Sequence, residues 1–138
     1  IEEELSNQSV HCVFNPDFAK GEMLYSVQCG LKAICAESEA ALIALGDQPQ
    51  IEAKVVQDIL RSYHEKLWWI IVPSYQMHRG HPFLVDRLLW QAVLDLKSPA
   101  SLKDFLDQNN EKIYYLNVNS SGIMQDIDTQ KDYDQYKP

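Results

Sequence analysis

Apolar and polar positions change rhythm repeatedly along the chain, and the rhythm predicts alternating strands and helices. Val10 to Asn15, "VHCVFN", is short, apolar and β-branched, and the Pro-Asp pair after it closes it as a strand is closed. In "GEMLYSVQCGLKAICAE", Val27, Leu31 and Ile34 recur at three- and four-residue steps, which is one face of a helix. "AALIALGDQP" carries an unbroken apolar run, as a strand covered on both faces requires. From Ile51 the period changes again: Val55, Ile59 and Tyr63 make a helical stripe flanked by Val56 and Leu60. "LWWIIVP" is a second doubly covered strand, ended by Pro73. Beyond the polar loop "SYQMHRG" and "HPFLVD", the segment "RLLWQAVLDL" predicts a helix with Leu88, Leu89, Ala92 and Leu96 inward. Ser101 and Asp104 match a helix-start capping box, and Thr129 and Asp132 repeat it at "TQKDYDQY". Between them, "KIYYLNVN" and "GIMQDID" on either side of "SSG" predict a hairpin.

Strands alternating with helices over most of the length predict an α/β three-layer fold with a mainly parallel sheet. In such sheets ligands bind beyond the carboxyl ends of the strands. Asp47, directly after an apolar strand, occupies one of those ends. From there it can cap the following helix or point into the crevice and bind a divalent ion.

Composition narrows the partners. The chain of 138 residues is long enough for one domain with a real core, and its 46% hydrophobic and 23% charged residues are those of a globular protein. A net charge of -8 argues against nucleic acid, whose affinity comes from Lys and Arg on phosphates. Single nucleotides remain open, because backbone N–H groups and one metal ion can hold them. Cys12, Cys29 and Cys35 show no metal-ligand spacing and read as free thiols of a reducing compartment. His11 and Cys12, adjacent on a strand, face opposite sides and cannot form a catalytic pair. No apolar stretch approaches the roughly 20 residues that span a bilayer, so a cytoplasmic protein with no membrane partner is expected. The opening "IEEELSNQSV" lacks an initiator Met and resembles the tail of an acidic helix.

Three further segments carry candidate chemistry. In "DIDT", Asp126 and Asp128 would leave a strand on the same face and repel one another unless a cation or a helix N-terminus lies close. The helix beginning at Thr129 accounts for one acid and leaves Asp126 without a structural explanation. In "HRGHP", His78 and His81 lie on a loop with no helical face to hold a metal, whereas the guanidinium of Arg79 suits a two-pronged phosphate contact. In "GEMLYSVQCGL", Gly21 precedes a helix on which Ser26 and Gly30 share one side. The glycine either lets the helix pack closely on a strand or leaves room for a flat ring.

Four ordered segments, "NPDFAKGEMLYSVQCGL", "LIALGDQP", "VPSYQMHRGHPFL" and "MQDIDTQKDY", resemble the MobA-like NTP transferases, and within them the molybdenum cofactor cytidylyltransferases with GDQP, RGHP and DIDTPEDY-type motifs. The resemblance covers nearly the whole chain as one domain, residues 1–138. It implies a Rossmann-like nucleotidyltransferase fold, of the nucleotide-diphospho-sugar transferase kind. It also implies Mg²⁺-dependent transfer of a nucleotidyl group, CMP from CTP in the favoured case, to molybdopterin with release of pyrophosphate. Asp47 would be the principal metal ligand, and Asp126 is favoured over Asp128 as the second. Arg79, Gly80, His81 and Pro82 would line the acceptor side, Ser26 and Gly30 would lie against the base, and Gln48 and Pro49 would complete the substrate contacts. A molybdoenzyme, or a chaperone for one, would be the protein partner. A sugar phosphate or another small phosphorylated acceptor is the alternative, as is a non-catalytic nucleotide-binding remnant.

Two departures from the family pattern stand out. Tyr25 replaces a small serine-like residue, and nothing matches the family's first strand and glycine-rich phosphate loop of the LAAGxSxRMG kind. The chain is therefore expected to be the carboxy-terminal portion of the domain, beginning inside the family's second helix, poorly stable and inactive by itself.

Overall fold

The computed structural model describes residues 5, 8–20, 23–66 and 68–136. Residues 1–4, 6 and 7 of the acidic opening and Gly21 lie outside the described residues. Helix α1 (Met23–Ala33) leads into strand β1 (Ala40–Ile43), and α2 (Ala53–Lys66) into β2 (Ile70–Tyr75). A tight turn with Gln76 and Met77 at positive φ, as hairpin turns of this length demand, returns the chain as the short β3 (His78–Arg79). Strand β4 (Phe83–Asp86), α3 (Trp90–Leu94), α4 (Leu102–Gln108), β5 (Ile113–Asn117) and α5 (Gln130–Tyr136) follow.

The sheet runs β1-β4-β2, with β5 along β2 from Ile70 to Ser74 and β3 continuing the opposite edge beyond β4. The pairings of β4 with β1 and with β2 are both antiparallel, so β1, β2 and β5 all point one way with β4 reversed between them. Alternation of side chains then builds two cores. Ile70, Val72, Phe83 and Val85 meet α1, α3 and α4 on one face, and Ile71 and Leu84 meet Val55 and Ile59 of α2 on the other. These are the three layers of a Rossmann-like α/β fold.

Several local expectations are corrected. Residues 10–15 form no strand; Val10, Val13 and Phe14 are exposed. On β1 only Ala41 and Ile43 are buried and Leu42 is partly exposed, because no strand among the described residues pairs with its outer edge. In α1, Leu24, Gln28 and Leu31 point inward, while Ile34 lies past the helix end. Gln28 earns its burial by donating to the carbonyls of Val93 and Leu96 at 2.9 Å each, satisfying the end of α3. Leu89 is buried and Leu96 packs against the core as expected, but Leu88 and Ala92 face solvent and Trp90 and Val93 are buried in their place. The chain enters α3 through a 3-10 turn at Arg87–Leu89, capped by Asp86, which shifts the helical phase. Both capping boxes form, Ser101 with Asp104 and Thr129 with Asp132.

The expected hairpin after β5 does not form. Residues Ser121–Met124 make a 3-10 turn, and residues 125–128 pair with no strand. Their backbone is engaged elsewhere: Ile123 accepts the N–H of His81 at 2.9 Å, and Ile127 donates to the Asp47 carbonyl at 2.8 Å. Gly122 lies so close to the Gln50 carbonyl that a Cβ there would stand 2.9 Å from it.

Candidate active site

Three loops converge at the carboxyl ends of β1, β2 and β5, and each carries one of the segments singled out in the sequence. The Asp47 loop follows β1, the Gly80–Pro82 segment follows the β2–β3 hairpin, and the Asp126 segment follows β5. The 3-10 turn and the extended residues after it stitch the three together through the bonds of Ile123 and Ile127.

Asp47 and Asp126 are both exposed. Between them lies Gln48, only 5% exposed, whose side-chain amide donates to Asp126 Oδ1 at 2.6 Å. Gln48 Oε1 and both amide atoms of Gln50 are buried with no hydrogen-bond partner. Asp128 is exposed, one residue before the capping Thr129. His81 is half-buried over Phe83, and burial holds its imidazole below the ordinary histidine range against the opposing pull of Asp126 and Asp47. The ring is therefore neutral at pH 7 and adds no positive charge to the two acids. Gly80 and Pro82 are buried, and a Cβ on Gly80 would lie 2.5 Å from the Ile123 carbonyl oxygen. Only glycine admits that approach.

Arg79 turns toward α4 and β5. Its guanidinium donates to Tyr115 Oη at 2.6 Å and pairs with Asp107, with Asn110 at 3.4 Å. Burial works against its charge, and the bonds to Asp107 and Tyr115 outweigh that and hold its pKa above the usual value. Asp107, Asn110 and Tyr115 gave no signal in the sequence, because their meeting depends on how α4 stands beside β5.

Ser26 and Gly30 line a groove of about 320 Å³ between α1 and β1, which runs from Ile34 to Gly46, next to Asp47. A Cβ on Gly30 would meet nothing within 4 Å, so close helix packing does not explain the glycine and open space lies beside it. Ser26 accepts from Asn15 at 3.0 Å. A second cavity of about 320 Å³ adjoins it at Met23, with Val72, Phe83, Leu102 and Leu106 as its apolar wall and Arg79, His81 and Lys103 at its rim. Gly46, next to Asp47, ends one of these small-molecule-sized hollows, and Gly80 and His81 line the other.

Among the described residues no group of three or more His, Cys, Asp and Glu is arranged to hold a metal ion. Two exposed carboxylates nonetheless suit Mg²⁺, which takes one or two protein oxygens and keeps its other positions for water and phosphate. The three cysteines are free, and no helix among the described residues is long and apolar enough to cross a membrane.

Solved structures share this fold. A homologue of Mycobacterium tuberculosis Rv0371c from Mycobacterium sp. strain JC1 superposes with a TM-score of 0.67 at 24% identity, over 80% of this chain and 54% of that one. Rv0371c of Mycobacterium tuberculosis H37Rv, solved as a complex with manganese, gives 0.68 at 23% identity, over 80% and 57%. The 4-diphosphocytidyl-2C-methyl-D-erythritol synthase of Anaerococcus prevotii DSM 20548 gives 0.63 at 16% identity, over 80% and 60%. The chain spans less than two thirds of the length of each of these proteins. No curated protein matches it. The model of the MobA-like NTP transferase domain matches residues 1–113, and with most of its length so covered the chain belongs to the MobA-like NTP transferase family.

Proposed function

We propose that the full-length protein is a Mg²⁺-dependent nucleotidyltransferase that moves a nucleotidyl group, CMP from CTP in the favoured case, onto a molybdopterin-type acceptor and releases pyrophosphate. The observation that carries this reading is the Gln48 to Asp126 bond, reinforced by the Ile127 to Asp47 backbone bond, which together bring the acids of two distant segments to one site.

Asp47 and Asp126 would hold the ion, with Asp128 beside them at the helix start. Bound there, Mg²⁺ would neutralise charge on the phosphates and orient the leaving pyrophosphate. This chain's own residues supply contacts to the base and the acceptor. The groove beside Ser26 and Gly30 takes the base, and its end at Gly46 delivers the phosphates to Asp47. His81 and the cavity behind it, with the cations of Arg79 and Lys103 at its rim, receive the acceptor. Transfer of this kind asks for positioning and charge neutralisation, so no nucleophilic side chain is needed.

Pyrophosphate release from CTP, GTP or ATP with Mg²⁺ and molybdopterin or a sugar phosphate tests the reading. Asp47→Ala is expected to lose at least about a hundredfold in turnover, the scale for one strong electrostatic contact, with its melting temperature little changed because Asp47 holds Ile127 through its backbone carbonyl. An Asp47→Ala protein of wild-type activity sinks the metal assignment. Turnover of the sugar phosphate alone replaces the acceptor.

A further inference from the structure

We infer that Gln48 is a positioning residue for the metal site: its amide fixes the Asp126 carboxylate, and its buried carbonyl oxygen accepts a hydrogen bond from a water of the bound ion.

The evidence lies in how this one residue differs from its neighbours. Asp47 and Pro49 are exposed, yet the polar side chain between them is 5% exposed. Turned inward, it reaches across 78 positions of sequence to Asp126 Oδ1 at 2.6 Å. That contact fixes the amide's orientation, because reversing it would set a carbonyl oxygen against a carboxylate. Oε1 is therefore the atom left over, and it is buried without a partner. Leaving such an acceptor unmet costs about 1–3 kcal/mol, and both amide atoms of Gln50, two residues on, are unmet in the same way. An orphaned acceptor on the very residue that holds Asp126 describes a site prepared for something with a donor of its own. A hydrated divalent cation brings water donors, and Mg²⁺, which dehydrates reluctantly, keeps several waters when held by one or two carboxylates. With Oδ1 held by Gln48, Asp126 presents its other oxygen in a fixed direction, as supporting contacts around metal ligands do. In this role Gln48 touches the ion's shell and not the transferred group.

The inference rests on the metal reading above, and the test separates the two. Mn²⁺ binding to the full-length protein, without nucleotide, is followed by loss of the free-ion EPR signal. Gln48→Met, which keeps the length and removes both polar atoms, is expected to weaken Mn²⁺ binding about tenfold, and to melt no lower than wild type because it also removes the orphaned oxygen. If methionine does not fit, Gln48→Asn keeps the amide one methylene short and is expected to show the same loss. Mn²⁺ affinity within twofold of wild type in the folded variant overturns the inference; if Asp47→Ala abolishes binding in that same experiment, the metal reading stands without it. Mn²⁺ binding unaffected by Asp47→Ala overturns both.

Discussion

Replacing Gly80 by alanine probes the joint on which the site depends. A Cβ at this position would stand 2.5 Å from the Ile123 carbonyl oxygen and 2.6 Å from its Cγ1 and Cδ1, about 1 Å inside ordinary contact. Ile123 is 0% exposed and its carbonyl accepts the His81 N–H, so neither the side chain nor the backbone has room to retreat. Overpacking of this kind costs about 1–3 kcal/mol. Breaking the His81 bond and leaving a buried N–H unmet adds about 1–3 kcal/mol. Together they predict a loss of about 2–6 kcal/mol, against a typical total of roughly 5–15. At about 3 °C per kcal/mol for a domain of this size, the melting temperature falls by roughly 6–18 °C. Gly30→Ala is the control: its Cβ meets nothing within 4 Å, and inside α1 alanine gains up to about 1 kcal/mol. Thermal unfolding of both variants, followed by circular dichroism, decides the matter. A Gly80→Ala protein that melts within about 2 °C of wild type refutes the claim that Gly80 is required by its approach to Ile123.

Further expectations concern groups around the same framework. Tyr63→Phe loses the 2.6 Å bond to Asp86 and should cost about 1 kcal/mol in chemical denaturation. Burial, and then Asp86, raise the Tyr63 pKa above its ordinary 10, so its contribution is intact below pH 10 and is lost as pH rises further; stability curves of wild type and Tyr63→Phe should converge above that pH. Burial depresses the His81 pKa, so the stability it contributes is present above about pH 6.5 and is lost as pH falls through its lower folded value. An NMR titration of the His81 ring should give a midpoint below the ordinary histidine value of about 6.5, and a higher midpoint would contradict the assigned burial. Arg79→Lys cannot keep the forked contacts to Tyr115, Asp107 and Asn110. It should lower stability by about 1 kcal/mol, the discounted worth of a partly exposed pair, and unchanged denaturation midpoints would mean that the fork adds nothing.

The central layers were readable in the sequence because burial on both sides of a strand leaves a continuous apolar run. "LWWIIVP" became β2, and the stripe of Val55, Ile59 and Tyr63 became α2 against it. Capping signals at Ser101 and Thr129 are local chemistry and survived intact. What failed were elements whose state depends on distant partners. Residues 10–15 have strand composition, but among the described residues no strand takes them up. "GIMQDID" has strand rhythm, but its hydrogen bonds are claimed by Asp47 and His81, which no local pattern announces. Asp47, His81 and Asp126 were each identifiable by motif, and their convergence is a property of the loops. The buried Gln48 was visible only as the third letter of GDQP, and the commitments of Arg79 were not visible at all.

The bare outer edge of β1 has a practical consequence. Its backbone N–H and C=O groups are unpaired by any described strand, and partly exposed Leu42 beside it adds apolar surface. Such an edge is a template for pairing with whatever strand it meets, including the same edge on another molecule. Preparations of this chain should therefore behave colloidally rather than ideally: scattering should rise with protein concentration, melting temperatures should shift with it, and a single lysine in place of Leu42 should suppress both.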